Sequence, residues 1–232
     1  MARVGGDGAE GGVGALVGIG LIETIRARNG RIPWLGRHLG RLYETIAALK
    51  LSDPADDVGD LVRAAAGPGD RVVRLELRDG HAEITTRQVN TERAPAVIVS
   101  DVLHQPYPYK TTQREPFGRA LAGARRRRAD DALLITAGGY VAEGTAWSLF
   151  WWNGTGLCTP SAELGVLPGL GRRRVMELTE VREEVAPVSA LAGRSLFLVN
   201  AVRGIVEIGS FQGTAVPVDP RTAELSSAFW PD

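Results

Sequence analysis

Lysine, cysteine and long apolar runs are scarce in this sequence, which limits the chemistry, the cross-links and the membrane segments that the chain can have. Of the 232 residues 27 are basic, and only Lys50 and Lys110 among them are lysines. The single cysteine, Cys158, rules out a disulfide within the chain and fits a reducing compartment. No stretch approaches the roughly 18 consecutive apolar residues that a membrane-spanning helix needs. The 27 acidic residues balance the basic ones, so we expect neither nucleic acid nor a membrane as a partner.

The first 15 residues are rich in glycine and are predicted to form an N-terminal tail. They match the G-x-G-x-x-G pattern of dinucleotide-binding loops through Gly6, Gly8 and Gly11. Such a loop works between a strand and a helix, and no strand pattern precedes these glycines, so we reject that interpretation. The tail also lacks the basic segment followed by an apolar one that marks a signal peptide. We therefore expect a cytoplasmic protein.

Strand-like and helix-like patterns both occur along the rest of the chain, and they predict an α+β fold. Apolar residues that alternate or run together between turn residues predict strands, and an apolar spacing of three to four predicts helices. The predicted strands cover 16–28, 71–78, 81–89, 96–103, 131–136, 140–145, two segments within 148–160, and closing segments within 195–213. The predicted helices cover 38–51, part of 57–66, 116–129 and 172–183. Hairpin turns are predicted at Asn29-Gly30, which leads into 31–35, at Asp79-Gly80 and at Asn153-Gly154.

Two prolines, Pro106 and Pro108, mark the boundary that we predict between two domains. Proline cannot donate a backbone hydrogen bond, so closely spaced prolines are typical of connecting segments. We therefore divide the chain into the tail (1–15), a small N-terminal α/β domain (16–105) and a larger C-terminal domain (106–232).

Lys110 is the residue that most clearly suggests chemistry. Arginine keeps its proton in proteins, whereas a lysine amine whose pKa is lowered can form an imine with an aldehyde. Lys50 lies near the end of an amphipathic helical segment, where a solvated position is expected. Lys110 follows a predicted strand and a turn rich in proline and tyrosine. It is the candidate for a Schiff-base lysine, although a general preference for arginine over lysine would give the same composition.

Three further features fit an anion and a protonated ring. The glycine-rich loop 165–171 leads into a predicted helix, and backbone N–H groups at a helix start bind anions such as phosphate. An ordinary helix-capping loop would look the same. Arg41 could add a bidentate guanidinium to that anion, although most helix arginines are simply solvated. Glu143 ends a predicted strand, and if it is buried it needs a cationic partner, for which a protonated ring nitrogen would serve.

Other catalytic centres find little support. His38, His81 and His104 share no metal-ligand spacing, and with a single cysteine they predict no zinc site. The sequence has no G-x-S-x-G segment, so a serine triad is not predicted either.

Five segments, by their order and spacing, resemble the class IV (fold type IV) family of pyridoxal-phosphate enzymes. This family includes branched-chain aminotransferases, D-amino-acid aminotransferases and 4-amino-4-deoxychorismate lyases. The resemblance extends from residue 16 to about 212 and is carried by 18–42, 109–115, 130–150, 165–173 and 200–208. It implies a homodimer whose subunits each have a small N-terminal α/β sandwich domain and a larger, β-rich C-terminal domain of the pseudo-barrel type. The resemblance also implies that pyridoxal 5'-phosphate lies between the two domains.

The resemblance assigns roles to residues of this sequence. Lys110 matches the catalytic lysine that holds the cofactor through a Schiff base. Glu143 matches the acid that keeps the ring nitrogen protonated, which makes the ring an electron acceptor. Arg41 matches the phosphate-binding arginine. The remaining cofactor-binding positions, whose backbone surrounds the phosphate, are matched by Leu170, Gly171, Asn200 and Ala201.

Within the family, the sequence is more similar to the 4-amino-4-deoxychorismate lyases, which release pyruvate and 4-aminobenzoate for folate biosynthesis. Segment 22–26, Gln113-Arg114 and Asn200-Ala201 each resemble the lyases better than the branched-chain enzymes. Arg114 and Arg203 are candidates for binding the carboxylates of a small amino-acid-like substrate. A class IV aminotransferase acting on branched-chain or D-amino acids is the alternative. A weaker alternative is an inactive member of the family with a binding role.

The sequence departs from the family pattern in four places. Ile19 replaces an aspartate, Ser148 replaces an asparagine, and the glycine-rich tail replaces an N-terminal strand; these changes concern the substrate pocket and the sheet edge. Gly171 replaces a threonine of the phosphate loop, which removes a hydroxyl donor but keeps the backbone N–H. None of the departures affects Lys110 or Glu143.

Overall fold

The computed structural model describes residues 18–90, 95–154 and 156–231. The strands within these residues are β1 (Leu21–Arg28), β2 (Asp70–Arg78), β3 (His81–Gln88), β4 (Ala96–Leu103), β5 (Asp131–Ile135), β6 (Val141–Gly144), β7 (Ser148–Asn153), β8 (Gly156–Pro160), β9 (Val181–Glu184), β10 (Leu196–Asn200), β11 (Gly204–Glu207), β12 (Ser210–Phe211) and β13 (Thr214–Ala215). The helices are α1 (Leu35–Leu49), α2 (Val58–Ala65), α3 (Glu115–Arg126), α4 (Leu170–Leu178) and α5 (Pro220–Ser227). The predicted tail at 1–15, with its G-x-G-x-x-G match, lies outside the described residues.

The first sheet is antiparallel and has the order β1-β2-β3. Apolar residues on one of its faces, such as Ile25 and Leu75, are buried against α1 and α2. Each helix supplies an apolar stripe to the same core, which includes Leu42 and Val62. Asp79-Gly80 turns β2 directly into β3 with φ values of 49° and 78°, so the hairpin predicted there is confirmed.

Two five-stranded sheets form the rest of the described chain. One has the order β13-β12-β4-β5-β6 and the other the order β11-β10-β7-β8-β9. Because β4 and β5 are parallel, the chain between them must cross over, and α3 makes this connection while burying Phe117 and Ala124. Apolar residues of both sheets, including Leu133 and Leu149, pack into one core. These sheets and helices confirm the predicted α+β fold.

The hairpin predicted at Asn29-Gly30 is wrong in its second strand. These two residues do turn the chain, with φ values of 49° and 79°. However, Arg31 makes only an isolated bridge to Arg28, and α1 begins at Leu35. β1 pairs along its whole length with β2 instead, because the two strands present matching apolar faces to α1 and α2.

The helix predicted to begin in the turn 170–172 and to extend to residue 183 is wrong at its C-terminal end. The helix α4 begins at Leu170 and ends at Leu178, and β9 then pairs in parallel with β8. The sequence analysis did not predict α5. The division into domains at 105/106 stays a prediction; β4, which precedes it, pairs with β5, which follows it.

Candidate active site

One cavity brings together all nine residues that the sequence analysis selected as site residues. Its volume is about 230 Å³. The selected residues that line it are Arg41, Lys110, Arg114, Glu143, Leu170, Gly171, Asn200, Ala201 and Arg203. Further lining residues that the sequence analysis did not select include Thr24 on β1 and Arg87 on β3. The walls therefore come from the first sheet, from the Lys110 segment and from the elements between β6 and β10.

The Lys110 segment is fixed along the start of β1. The carbonyl of Lys110 accepts a hydrogen bond from the N–H of Ile22 at 2.9 Å. Two residues later, the N–H of Thr112 donates to the carbonyl of Gly20 at 2.8 Å, and the hydroxyl of Thr112 accepts from the N–H of Gly20 at 3.0 Å. A Cβ at position 20 would lie 2.8 Å from the side chain of Arg78 and 2.9 Å from that of Thr112, so glycine permits this close approach.

The amine of Lys110 has an unusually low pKa for a lysine. Burial among protein atoms lowers it most, and the positive charges of Arg41 and Arg114 lower it further, whereas the carboxylates of Glu23 and Glu143 raise it. The result is a pKa of about 7 instead of 10.5. A large fraction of this amine is therefore uncharged and nucleophilic at neutral pH.

A buried ionic cluster lies beside this amine, and the sequence analysis missed its central residue. Both oxygens of Glu23 accept from Arg41, from Nε at 2.8 Å and from Nη2 at 2.6 Å, and Oε2 also lies 2.6 Å from Nδ1 of His38. Burial raises the pKa of Glu23, but the charge of Arg41 and the hydrogen bond with His38 outweigh it and bring the pKa to about 2. Burial lowers the pKa of His38. An acid on the apolar face of a predicted strand was the available signal, because such a residue requires a buried cation.

The cluster orients Arg41 toward the cavity. With Nε and Nη2 bonded to Glu23, Nη1 has no hydrogen-bond partner within the described parts of the chain, and Arg41 lines the cavity. A guanidinium group that is fixed in this way can bind an anion without a large loss of side-chain freedom.

The start of α4 forms another side of the cavity. No side chain caps this helix; its N-cap is Gly169, and the first backbone bond within it runs from the N–H of Arg173 to the carbonyl of Gly169. A Cβ at position 171 would lie only 2.9 Å from the carbonyl carbon of Asn200. The glycine that replaces the family's threonine thus lets the helix start pack directly on the end of β10. Uncapped N–H groups at this position suit an anion.

Asn200 shapes the turn that follows β10. Its Oδ1 accepts from the N–H groups of Val202 and Arg203 at 2.9 and 2.8 Å, and its Nδ2 donates to the carbonyl of Ala146 at 3.3 Å. The guanidinium of Arg203 lies 5.3 Å from the ring centre of Trp147, at the cavity wall. The side chain of Asn200 therefore holds the wall in place, with its polar atoms directed at the protein.

Arg114 lies at the cavity but also binds the surrounding chain. Its Nη2 donates to the carbonyl of Thr145, and its Nη1 lies 3.4 Å from the hydroxyl of Tyr107. The guanidinium lies 4.7 Å from the ring centre of Phe117. These contacts fix Arg114 at the start of α3, and its role in binding a substrate carboxylate stays a prediction.

Glu143 is buried and also lines the cavity. Its Oε1 lies 2.9 Å from Nε2 of His104 and accepts from the N–H of Leu167 at 3.2 Å. The following turn is held by Asp131, which accepts from the N–H of Thr145 at 2.9 Å and from its hydroxyl at 3.0 Å. The cavity thus has a carboxylate at one side and an arginine with a helix start at another.

Neither a metal-binding cluster nor a membrane-spanning helix occurs in the described parts of the chain. Among 18–90, 95–154 and 156–231, no group of three or more histidine, cysteine, aspartate or glutamate side chains could hold a metal ion. No helix within the same residues is both long and apolar enough to span a membrane.

Comparisons with known proteins agree with this geometry. The family model for class IV aminotransferases matches residues 20–211. No curated protein sequence matches the chain. A Legionella pneumophila structure assigned as a 4-amino-4-deoxychorismate lyase is 22% identical, with a TM-score of 0.78 over 89% of this chain and 88% of that one. The branched-chain aminotransferase of Thermoproteus uzoniensis is 21% identical, with a TM-score of 0.82 over 91% and 84%. That of Escherichia coli is 18% identical, with a TM-score of 0.80 over 90% and 84%.

At these identities the solved structures show a shared fold and do not separate the activities. The family match covers most of the chain, from residue 20 to residue 211. The resemblance found in the sequence is therefore confirmed. This chain belongs to the class IV aminotransferase family, and it is a pyridoxal-phosphate-dependent enzyme of the lyase or the aminotransferase type.

Proposed function

We propose that the protein is a 4-amino-4-deoxychorismate lyase, which releases pyruvate and 4-aminobenzoate from its substrate. One observation carries this proposal. A lysine amine with a pKa of about 7 lies in a cavity that, among the described residues, is also lined by four arginines and one acid, Glu143. Such a cavity suits an anionic cofactor together with a substrate that bears more than one carboxylate.

The lining residues fit pyridoxal phosphate. When bound, this cofactor supplies an aldehyde that can form an imine and a ring that withdraws electrons. Nζ of Lys110 would bind the aldehyde, and Glu143 would bind the ring nitrogen. Arg41 and the N–H groups of Leu170 and Gly171 would bind the phosphate. The missing Cβ at position 171 supports this fit, because the helix start and the end of β10 approach closely enough to surround one anion.

Lys110 would also move the protons of the reaction. With the substrate amine bound to the cofactor in its place, Nζ would be a free amine that could accept a proton from a substrate carbon and return it. A group with a pKa of about 7 can both accept and return a proton near neutral pH. The carboxylate of Glu143 would accept the hydrogen bond of the ring nitrogen. Trp147 and Leu170 are among the apolar residues that line the cavity.

The arginines of the cavity favour the lyase over a branched-chain aminotransferase. Arg41 is held by Glu23, and Arg114 is held by Thr145 and Tyr107. Arg87 and Arg203 also line the cavity. The lyase substrate carries two carboxylates, whereas a branched-chain amino acid carries one carboxylate and an aliphatic side chain. We propose Arg203 and Arg114, with Arg87 as an addition, as the carboxylate-binding residues.

Product analysis tests the reaction directly. The purified enzyme with added pyridoxal phosphate is supplied with 4-amino-4-deoxychorismate and no keto acid. We expect pyruvate and 4-aminobenzoate in equal amounts, and neither product with Lys110→Ala. Turnover of leucine or D-alanine that depends on a keto-acid acceptor, without pyruvate from the first substrate, would instead identify an aminotransferase. The lysine-bound Schiff base of the cofactor colours the protein yellow, and a protein that gains no such visible absorbance band from added cofactor would contradict both activities.

Substitution of the arginines tests the substrate class. Arg87→Gln and Arg203→Gln should each raise the KM for the dicarboxylate by about 10- to 150-fold, because a hydrogen bond to a charged group contributes about 1.5–3 kcal/mol. Arg119→Gln is the matched control, since Arg119 is an exposed arginine of α3 outside the cavity lining. An unchanged KM in both cavity variants would show that the substrate carboxylates bind elsewhere.

We further propose, on the family resemblance, that the enzyme is a cytoplasmic homodimer with its cofactor between the two predicted domains. Light scattering coupled to size-exclusion chromatography tests the assembly. A mass of about twice the 24.8 kDa of one chain is expected. A mass equal to that of one chain would contradict the proposed dimer.

A further inference from the structure

His104 and Glu143 form a buried pair behind the cavity. The exposed fraction is 6% for His104 and 5% for Glu143. Nε2 of His104 lies 2.9 Å from Oε1 of Glu143. His104 itself is fixed at the end of β4, because its N–H donates to the carbonyl of Ile135 at 2.7 Å. No pattern in the sequence assigns this histidine a role.

The two oxygens of Glu143 have different partners. Oε1 accepts the bond from His104 and a second one from the N–H of Leu167 at 3.2 Å. Oε2 has no hydrogen-bond partner in the described ranges, and Glu143 lines the cavity. One oxygen thus holds the carboxylate in position while the other stays open toward a ligand.

The surroundings of His104 select its tautomer. Nδ1 is buried and has no hydrogen-bond partner among the described residues. A proton on Nδ1 would be a buried donor without an acceptor, and a bare Nε2 would direct its lone pair at the carboxylate oxygen. Both problems are avoided when the ring is neutral and carries its proton on Nε2. In this tautomer the Nε2–H donates to Glu143. Nδ1 is then an acceptor without a partner, which costs less free energy than a buried donor without one.

We propose that His104 is a positioning residue that orients Glu143 as a neutral Nε2–H donor. It holds Oε1, so that Oε2 faces the ring nitrogen of the cofactor, and it adds no positive charge that would offset the carboxylate. An arginine or a lysine in this place would pair with the charge of Glu143 and compete with the ring for it. The orientation of Glu143 by His104 follows from the buried pair, while its use toward the ring rests on the proposed function.

Nitrogen-15 NMR of the histidine rings tests the tautomer without any catalytic assay. The chain has three histidines, so His38→Gln and His81→Gln suffice to assign the signals. We expect His104 to be neutral and protonated at Nε2 at neutral pH, both without and with pyridoxal phosphate. A signal from a doubly protonated ring, or from the Nδ1–H tautomer, would overturn the proposal. The tautomer can be read in this way even if the protein proves not to be a lyase.

Substitutions at position 104 test what the hydrogen bond does for the cofactor. His104→Gln keeps a neutral N–H donor, and His104→Leu removes it. We expect the leucine variant to bind pyridoxal phosphate about tenfold more weakly, as for the loss of one hydrogen bond to a charged group. The absorbance band of the lysine-bound cofactor should also shift in this variant. The glutamine variant should retain most of both properties.

Thermal unfolding separates this role from a purely structural one. If His104 only supported the fold, the leucine variant would melt earlier but keep the wild-type band and affinity once folded, and the proposal would fail. It would fail as well if glutamine and leucine behaved alike. His81→Gln, at an exposed position at the start of β3, is the control for histidine removal and should match the wild type. Should the leucine variant not fold, the tautomer of His104 and the cofactor affinity of the glutamine variant still test the proposal.

Discussion

The substitution Glu23→Gln should remove a contribution to stability whose size follows from the buried ionic cluster. In the folded chain the pKa of Glu23 is about 2, against 4.5 for a free side chain, and the difference of about 2.5 pKa units corresponds to about 3 kcal/mol at neutral pH. Because the folded pKa is the lower one, this stabilisation is present above pH 4.5. It is lost as the pH falls through about 2. This figure already includes the loss of the counter-ion of the buried guanidinium of Arg41, because a neutral Glu23 leaves that charge unpaired just as glutamine does.

Urea unfolding of the wild type and the variant, followed from about pH 7 down to about pH 3, measures this contribution. The difference in unfolding free energy should be about 3 kcal/mol or more at pH 7 and should shrink only below about pH 4.5. Glu177→Gln is the matched control, because Glu177 accepts hydrogen bonds from Arg37 at 2.7 and 3.0 Å at the surface. A surface ion pair contributes about 0–1 kcal/mol. A difference below about 1 kcal/mol for Glu23→Gln, or one that does not change with pH, would refute the buried cluster as a source of stability.

Three further predictions concern the cavity itself. Without cofactor, the rate at which a small reagent acylates Lys110 should rise with a midpoint near pH 7, because burial and the charges of Arg41 and Arg114 lower the pKa of this amine. A free lysine derivative has its midpoint at about pH 10. Mass spectrometry of the labelled peptide measures the midpoint, and a midpoint near about pH 10 would contradict the burial of Lys110. Glu23→Gln should move this midpoint to lower pH, because it removes a negative charge that raises the pKa of Lys110, and an upward shift would contradict that assignment. Gly171→Ala should destabilise the protein by about 1–3 kcal/mol and weaken phosphate binding, since the new Cβ would lie 2.9 Å from the backbone of Asn200. Gly40→Ala is the control, because a Cβ at this position of α1 would have no atom within 4 Å. This substitution should stabilise the protein by about 0.5–1 kcal/mol. Equal melting temperatures for the two alanine variants would disprove the steric argument.

Part of the candidate site could be selected from the sequence because its chemistry is local, whereas Asn200 and Ala201 were assigned through the family resemblance. A single lysine beside aromatic residues, a glycine-rich loop before a helix and an acid at a strand end were each recognisable from residue type and neighbours. Glu23 and His104 were not selected, because nothing near them in the sequence reveals their partners. Glu23 meets Arg41 only when α1 packs on β1, and His104 meets Glu143 only when β4 and β6 flank β5 in one sheet.

Two dipeptide turns show the same division between local and tertiary information. Asn29-Gly30 and Asp79-Gly80 have nearly the same backbone conformation, and the sequence determined it, because glycine and asparagine or aspartate accept positive φ. Only the second turn joins two strands. The burial of apolar faces decided whether a strand follows each turn. After Asn29-Gly30, residues 31–35 lead into α1, and β1 pairs with β2 instead.

The sequence by itself determined the element types over most of the chain, the reactive lysine and the family. The tertiary structure decided where α4 ends, the formation of β9, and the assembly of the cavity. It also decided the charge states in the cavity, because a pKa depends on burial and on charges that come close only in the fold. Gly20 and Thr112, which fix the Lys110 segment, lie 92 positions apart. Contacts at such separations depend on the packing of whole layers, and no short stretch of sequence encodes them.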